Sequence, residues 1–552
     1  MVSCLDWCDT RVLIQVYKDL RQGRHTMHVQ VDTRTAEKTA PLTPDAQTLR
    51  LDKERRAGVC MHLTSLPGPH GIGEIGREAR AFVDSLAAAG LRIWQFLPTG
   101  PTAYGDSPYQ PLSTYAGNPM LIELRELCEL GLLDEAELQP LCDLPVDNVD
   151  YGALIPVKST LLAKAAERFR AQTTTSLHDE FANYLERNGR VWLNDYALFR
   201  TLKRAHGDRP WTEWNLAYRR REQDALDKFI ATHDTELYAI KFCEFIFDKQ
   251  WQALRDHARE TGVLLFGDMP IYIALDSADA WANREILRLD HDGQPAAVAG
   301  VPPDYFSEDG QLWGNPLYDW AYHERSGFGW WVERMRHTLS LVDVVRIDHF
   351  RGFEAYWSVP FGAETARDGA WEQGPNDAIF DALHDQLGDM PIVAEDLGAI
   401  TPAVDELRMR HRMPGMSVLQ FMIDDPNFDL ESIGADSVCY TGTHDNDTTV
   451  GWYHGGPGDV RTAEQIAMTQ HNALRHIGGI ADNIHWAMIN TAFSTAACLA
   501  IVPMQDFLGL GSEARINTPG SSANNWRWRL QADAFDAALQ ERIAQLATDH
   551  AR

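Results

Sequence analysis

The sequence predicts an α/β fold, a (β/α)8 TIM barrel with large helical insertions and no C-terminal β-sandwich domain. Three observations predict it: eight short apolar runs, helical periodicity between them, and acidic residues closing several of the runs.

Strands buried on both faces read as continuous apolar runs rather than alternating ones. In chain order the runs are Gly58–Leu66, Leu91–Pro98, Val263–Ile273, Val342–Phe350, Pro391–Leu397, Ser417–Phe421, Ser437–Asp445 and Leu499–Asp506. Helical stretches separate them, which favours a closed barrel over an open doubly wound sheet. After the first run, Ala79, Phe82, Val83 and Leu86 share one helical face, and Gly90 stands where a C-cap glycine belongs. Before the third, Ile240, Cys243, Phe247, Trp251 and Leu254 follow one another at spacings of 3, 4, 4 and 3. About 45 residues follow Asp506, and DAFDAALQERIAQLA among them reads as helix.

Two connections exceed what a barrel needs. About 160 residues, rich in Leu, Ala, Arg and Glu, separate the second and third runs, and 121–257 is expected to be a helical insertion. The stretch 274–341 contains AGVPPDYFSEDGQLWGNP, where Gly and Pro alternate with Tyr305, Phe306 and Trp313. It is expected to be an ordered loop insertion over the active-site face. Residues 56–552 form the expected catalytic barrel. Residues 1–55 are an N-terminal extension of unknown role, in which VLIQVY and MHVQVD suggest a hairpin.

The chain has 552 residues, 44% hydrophobic and 23% charged, as large globular proteins do. A net charge of -29 argues against nucleic acid or an anionic membrane as partner, since phosphate binding needs clustered Lys and Arg. A neutral ligand fits better. The eight cysteines are scattered, with no CxxC pair, and read as buried thiols in a reducing compartment, the cytoplasm. The start, MVSCLDWCDTR, lacks the basic and apolar regions of a secretory signal. The 20-residue uncharged stretch Trp486–Gln505 contains Asn490, Thr491, Ser494, Thr495 and Pro503. It reads as a buried helix running into a buried strand, not a membrane span.

Gly71, Gly73 and Gly76 spell GIGEIG between a strand and a helix, a form shared with dinucleotide-binding turns. The context is wrong. Thr64 to His70 separate the strand from the first glycine, and LRIWQFLP does not end in the acidic residue that would hold a ribose. A glycine-rich turn packed at the barrel rim is expected instead.

Reactive groups of a parallel barrel sit at the C-terminal strand ends. Here Asp268, Asp348, Glu395 (with Asp396) and Asp445 occupy those positions, so four of them converge on one rim. A single acid at a strand end is often only a helix cap. Capping does not explain Arg346, two residues before Asp348 and so on the same face of the strand. That neighbour is expected to lower the pKa of Asp348 and keep it ionised, as a nucleophile requires; a structural ion pair is the plainer alternative. Glu395 follows the apolar PIVA, whose burial is expected to raise its pKa and suit it to act as an acid. Two such carboxyls on neighbouring strands are what retaining glycoside transfer uses. Asp445, between His444 and Asn446, supplies a third negative charge for an oxocarbenium-like transition state. His349 and His444 suit sugar hydroxyls better than a metal, because no third ligand has suitable spacing. The Tyr104 to Tyr109 segment and Trp313 are candidate platforms for pyranose faces, with core packing as the plainer reading.

The blocks VVRIDHFRGF, IVAEDLG and YTGTHDNDT resemble those of glycoside hydrolase family 77, the amylomaltases or disproportionating enzymes. So do LTSLPGPHGIGEIG, GDSPYQPLSTYAGNP, GDMPIYIA, AGVPPDYFSEDGQLWGNPLYDW and MQDFLGLGSEARINTPG, and the resemblance spans about Gly58 to Trp528. It implies a 4-α-glucanotransferase that passes α-1,4-glucan segments between maltooligosaccharides or starch-type glucans by retaining double displacement, with no metal or organic cofactor. By resemblance Asp348 is the nucleophile, Glu395 the acid/base and Asp445 the transition-state stabiliser. Arg346, His349, His444 and Asp268 would surround the sugar at the cleavage point, and Tyr109, Ser107, Trp313 and Asn315 would line the glucan groove. The spacing argument alone leaves open an α-glucan hydrolase of the α-amylase type, which shares the barrel and three acids but usually continues into a β-sandwich. A catalytically silent glucan-binding protein is the alternative from another class, against which stands the presence of all three acids. The departure from the family is the N-terminal extension.

Overall fold

The apolar runs pair side by side. The computed structural model of the chain describes residues 51, 54–102, 106–303, 307–425, 428–456, 459–478, 483–521 and 524–552. In chain order its strands are β1 (Arg56–Cys60), β2 (Ile93–Gln95), β3 (Leu264–Pro270), β4 (Ala297–Val301), β5 (Gln311–Pro316) and β6 (Val344–Asp348). Then come β7 (Ala355–Pro360), β8 (Ala370–Gln373), β9 (Ile392–Ala394), β10 (Gly415–Val418), β11 (Ser437–Tyr440) and β12 (Leu499–Pro503). Eight of these lie in the order β10-β11-β12-β1-β2-β3-β6-β9, with every ladder parallel. This is the (β/α)8 barrel. Ile93, Phe266, Val344, Val393, Val438, Leu499 and Ile501 form one interior cluster, the packed core such a barrel requires.

The seam between β9 and β10 is closed by the Ala394 N–H donating to the Pro414 carbonyl at 2.9 Å and by Asp396. The Asp396 carboxylate accepts the Met416 N–H at 2.7 Å and lies 3.2 Å from Arg408 Nε. A Cβ on Gly415 would come within 2.1 Å of that carboxylate, so only glycine admits it. Asp396, expected on the rim beside Glu395, is therefore a structural clasp; consecutive residues leaving a strand diverge to opposite sides.

Each of the eight runs overlaps a strand, and every one of these strands stops earlier than its apolar run. The run after Val342 overshoots because His349 takes φ 52°, a left-handed conformation that ends β6 at Asp348. The run Ser417–Phe421 is cut because the short helix Leu419–Met422 begins directly after β10. The helix Arg77–Ala88 buries Ala79, Phe82, Val83 and Leu86, and Gly90 has φ 72°. Ile484–Ser494 is a helix leading into β12, and no helix among the described residues is long and apolar enough to cross a membrane.

Between β2 and β3 the chain is helical, with Tyr151–Ala171, Ser176–Asn188, Asn194–Ala205 and Asp234–Thr261 as the long members. Their apolar faces and those of the barrel helices belong to one cluster, from Phe82 through Phe169 and Trp251 to Trp331. The stretch 274–341 differs from the expected loop. It contains β4 and β5, and its end is Gly329–Leu341, a helix leading directly into β6. β4 and β5 join β7 and β8 in an antiparallel sheet of order β5-β4-β7-β8. Among the described residues after β12, Met504–Leu508 and Ala537–Asp549 are helical.

The glycines of GIGEIG are consumed by packing. Cβ atoms would meet the Leu63 carbonyl at 1.9 Å from Gly73 and Glu123 Oε2 at 1.5 Å from Gly76. Glu123 also accepts the Arg77 N–H at 2.8 Å, so a carboxylate of the chain itself holds the helix N-terminus where a phosphate would have to sit. The hairpin expected from VLIQVY and MHVQVD, and Cys4, Cys8, Tyr104, Tyr305 and Phe306, lie outside the described residues.

Candidate active site

Strand register assembles the carboxylates. Ile347 pairs with Ala394 across β6 and β9, so Asp348 and Glu395 follow at adjoining strand ends. Asp268 pairs with Arg346 across β3 and β6. The strand ends open into a cleft of about 2020 Å³ lined by Ser107, Tyr109, Trp313, Asn315, Arg346, Asp348, His349, Glu395, His444 and Asp445, among others. Ten of the eleven residues singled out from sequence thus meet in one cavity.

Asp268 is the exception. Its side chain has no exposed surface and lies behind Arg346, whose Nη1 donates to both its oxygens at 2.8 and 2.7 Å. Arg346 Nη2 reaches Asp348 Oδ1 at 2.9 Å, and 29% of the Asp348 side chain stays exposed. The ion pair expected from spacing is present and pulls the carboxyl in the expected direction, but the net shift is the opposite one. Burial raises the Asp348 pKa, Arg346 pulls it down, and the neighbouring charges of Asp268 and Asp445 add to the rise, leaving it above the ordinary value. Spacing reveals the cation but not the depth of the site.

Glu395 accepts two backbone N–H groups, from His349 at 2.6 Å and from Leu397 at 2.9 Å. The left-handed turn at His349 presents the first of these donors. Burial raises the Glu395 carboxyl to about 7; Arg346 and the two N–H groups oppose the rise and the Asp348 charge reinforces it. His349 itself is held neutral, its pKa pushed down to about 3 by burial and Arg351, with its ring edge-on to Trp313 at 4.7 Å. Its Nε2 is buried and has no hydrogen-bond partner among the described residues.

Tyr109 joins the two sides of the site. Its hydroxyl donates to Asp268 Oδ2 at 2.8 Å and lies 2.8 Å from His444 Nε2. Because the single phenolic proton goes to the carboxylate, His444 Nε2 must carry a proton and donate to the phenol oxygen. The Tyr109 ring stacks on His444 at 5.2 Å, so this residue is a wired support as well as a wall. Asp445 is more open, with 47% of its side chain exposed. Asn517 Nδ2 holds its Oδ1 at 2.6 Å, and Arg515 Nη2 donates to its carbonyl at 2.7 Å. Asn315 is buried and spends its amide on the Ile273 carbonyl at 2.9 Å, while its oxygen accepts from Gln110 at 3.2 Å. Ser107 accepts the Tyr109 N–H at 3.3 Å and shapes that turn.

Sequence reasoning passed over Asn517 and Arg515, although both lie in the block MQDFLGLGSEARINTPG, because neither has a telling spacing. It also missed His62, which lines a pocket of about 460 Å³ sharing Thr443 and His444 with the cleft. Burial, then the charge of His444, pushes the His62 pKa down to about 3. Among the described residues no three His, Cys, Asp or Glu side chains are grouped to hold a metal ion.

A family model described as 4-alpha-glucanotransferase, that of glycoside hydrolase family 77, matches residues 61–534. A 4-alpha-glucanotransferase of Thermus thermophilus is 46% identical over 492 residues, covering 87% of this chain and 95% of the relative. One from Synechocystis sp. is 44% identical over 501 residues, covering 90% and 97%. The solved amylomaltase from Streptococcus agalactiae in complex with acarbose superposes with a TM-score of 0.85 at 35% identity, covering 90% of this chain and all of that one, 100%.

Proposed function

The chain belongs to the 4-alpha-glucanotransferase family, glycoside hydrolase family 77, and transfers glycosyl segments between α-1,4-glucans; from that premise we propose that it works by double displacement with retention of configuration. The observation that carries this reading is the register of β6 and β9. It brings Asp348 and Glu395 to adjoining strand ends, with backbones about one strand spacing (~4.8 Å) apart, so that two carboxyls project from neighbouring positions of one rim, as a retaining pair requires.

Asp348 is the nucleophile. Arg346 binds it directly at 2.9 Å, whereas among the described residues no cation forms an ion pair with Glu395, and that contact favours the charged form of Asp348. Its carboxylate attacks C1 as the bond from C1 to the leaving glucan oxygen breaks, and Glu395 gives that oxygen its proton. The 4-hydroxyl of the acceptor then returns a proton to Glu395 and attacks C1, releasing Asp348. Asp445, fixed by Asn517 and Arg515, faces the positive charge that develops on the ring. His349, neutral and with a free Nε2, offers a hydrogen bond to a sugar hydroxyl, and Trp313 offers a face to the ring beside it. Asp268 acts through Arg346 and Tyr109. The domain reading is a catalytic barrel over 56–552 with insertions at 121–257 and 274–341. The described cysteines are all unpaired, which suits a reducing compartment, the cytoplasm.

The test is the anomeric configuration of the first-formed linkage, read by proton NMR during transfer from an α-glucan donor. An α-linkage is expected; a β-linkage would overturn double displacement.

A further inference from the structure

The antiparallel sheet beside the barrel carries a tryptophan that the mechanism does not use. Trp371, on β8, is 42% exposed and lines the cleft together with Leu397, Gly398 and Ala399, the residues that follow Glu395. It is held rather than merely exposed. The Arg351 guanidinium lies 3.9 Å from its ring centroid, and Trp357, its cross-strand partner, meets it edge-on at 5.2 Å. Arg351 is itself fixed by the carbonyls of Ala355 and Ala399. An indole held by these two contacts presents the surface that lines the cleft in a fixed orientation, at small entropic cost on binding.

The side of the cleft follows from the acid/base. Glu395 protonates the departing oxygen, so the 397–399 segment and Trp371 flank the leaving segment and, after it, the acceptor. Resting on that placement of Glu395, we propose that Trp371 is a stacking platform for a glucosyl ring of the acceptor, distinct from the ring that receives the bond, and that it sets the preference for longer acceptors. The apolar C–H face of the pyranose would lie on the exposed surface of the indole.

The test uses α-maltosyl fluoride as donor, whose fluoride leaving group cannot reach the platform, with glucose or maltotriose as acceptor. In Trp371→Ala the KM for maltotriose should rise about tenfold, while kcat and the KM for glucose stay within about twofold and Trp371→Phe restores most of the preference. Unchanged turnover with glucose also shows that the variant is folded. A maltotriose KM that does not move, or a parallel loss with both acceptors, would overturn the platform. Absence of any transfer by the unaltered chain would overturn the reading of Asp348 and Glu395, and the platform with it.

Discussion

Arg346 is shared between Asp268 and Asp348: Nη1 lies 2.8 and 2.7 Å from the two oxygens of the first, and Nη2 lies 2.9 Å from Oδ1 of the second. One planar fork therefore fixes the proposed nucleophile against a carboxylate that never meets solvent. Lysine has a single point of charge and cannot span both. Arg346→Lys should lower kcat/KM for maltotriose about 10²-fold or more with little change in thermal midpoint. Activity within a few-fold of the unaltered chain would show that the bridge does not position Asp348.

Asp268→Asn tests the layer beneath. Asparagine keeps the size but removes the charge that holds Arg346 and receives the Tyr109 proton. The expected result is a fall in kcat of about 10-fold to 10²-fold with a KM nearly unchanged, because the side chain does not reach the cleft. A rise in KM alone would mean that Asp268 binds sugar directly.

The pH dependence follows from Glu395. Its carboxyl is raised from 4.5 to about 7, so the protonated acid is present below about 7 and is lost as pH rises through it. The rate of transfer from maltotriose should fall on that alkaline side. Glu395→Gln should cost about 10²-fold or more with maltotriose and far less with a glycosyl fluoride, whose leaving group needs no proton, and it should abolish the alkaline limb. An alkaline limb that persists in the variant would assign the acid elsewhere.

Glu244 gives a separate prediction for stability. It is buried, accepts the Gly117 N–H at 2.9 Å, and burial raises its pKa from 4.5 to about 8. A carboxyl raised on folding binds its proton more tightly in the native state. Its contribution is full below about pH 4.5 and is lost as pH rises through about 8. Glu244→Gln keeps an acceptor for Gly117 and should flatten the decline of the thermal midpoint between these limits. Parallel curves for the two proteins would show that Glu244 is not protonated in the fold.

Transfer itself is checked with maltotriose alone. Free glucose should appear together with longer oligomers while total reducing ends stay nearly constant. A steady rise in reducing ends would mark hydrolysis as the dominant reaction.

The barrel was legible because its strands are buried on both faces, so runs such as LRIWQFLP stand out against the helices. Their ends were not, since apolar residues continue into turns and helices: the left-handed His349 and the helix at Leu419 leave no mark in hydropathy. The four-stranded sheet stayed hidden for a different reason. AYWSVP and AWEQ are short, and β7 pairs with β4 about 60 residues earlier, a non-local contact no local pattern encodes. In the site, spacing brought Arg346 to Asp348 correctly but could not tell that Asp268 lies beneath the cleft or that Asp396 clasps the β9–β10 seam. Both are acids at strand ends, and only the direction each side chain takes separates them.

The most direct test of the account is to trap the covalent intermediate. Incubating Glu395→Gln with an α-maltotriosyl fluoride whose terminal 4-hydroxyl is removed allows attack but deprives the enzyme of a competent acceptor and of its base. Peptide mass spectrometry should then find a maltotriosyl adduct on the peptide containing Asp348. An adduct on a different residue, or complete turnover with no adduct under conditions where the fluoride is consumed, would contradict Asp348 as the nucleophile.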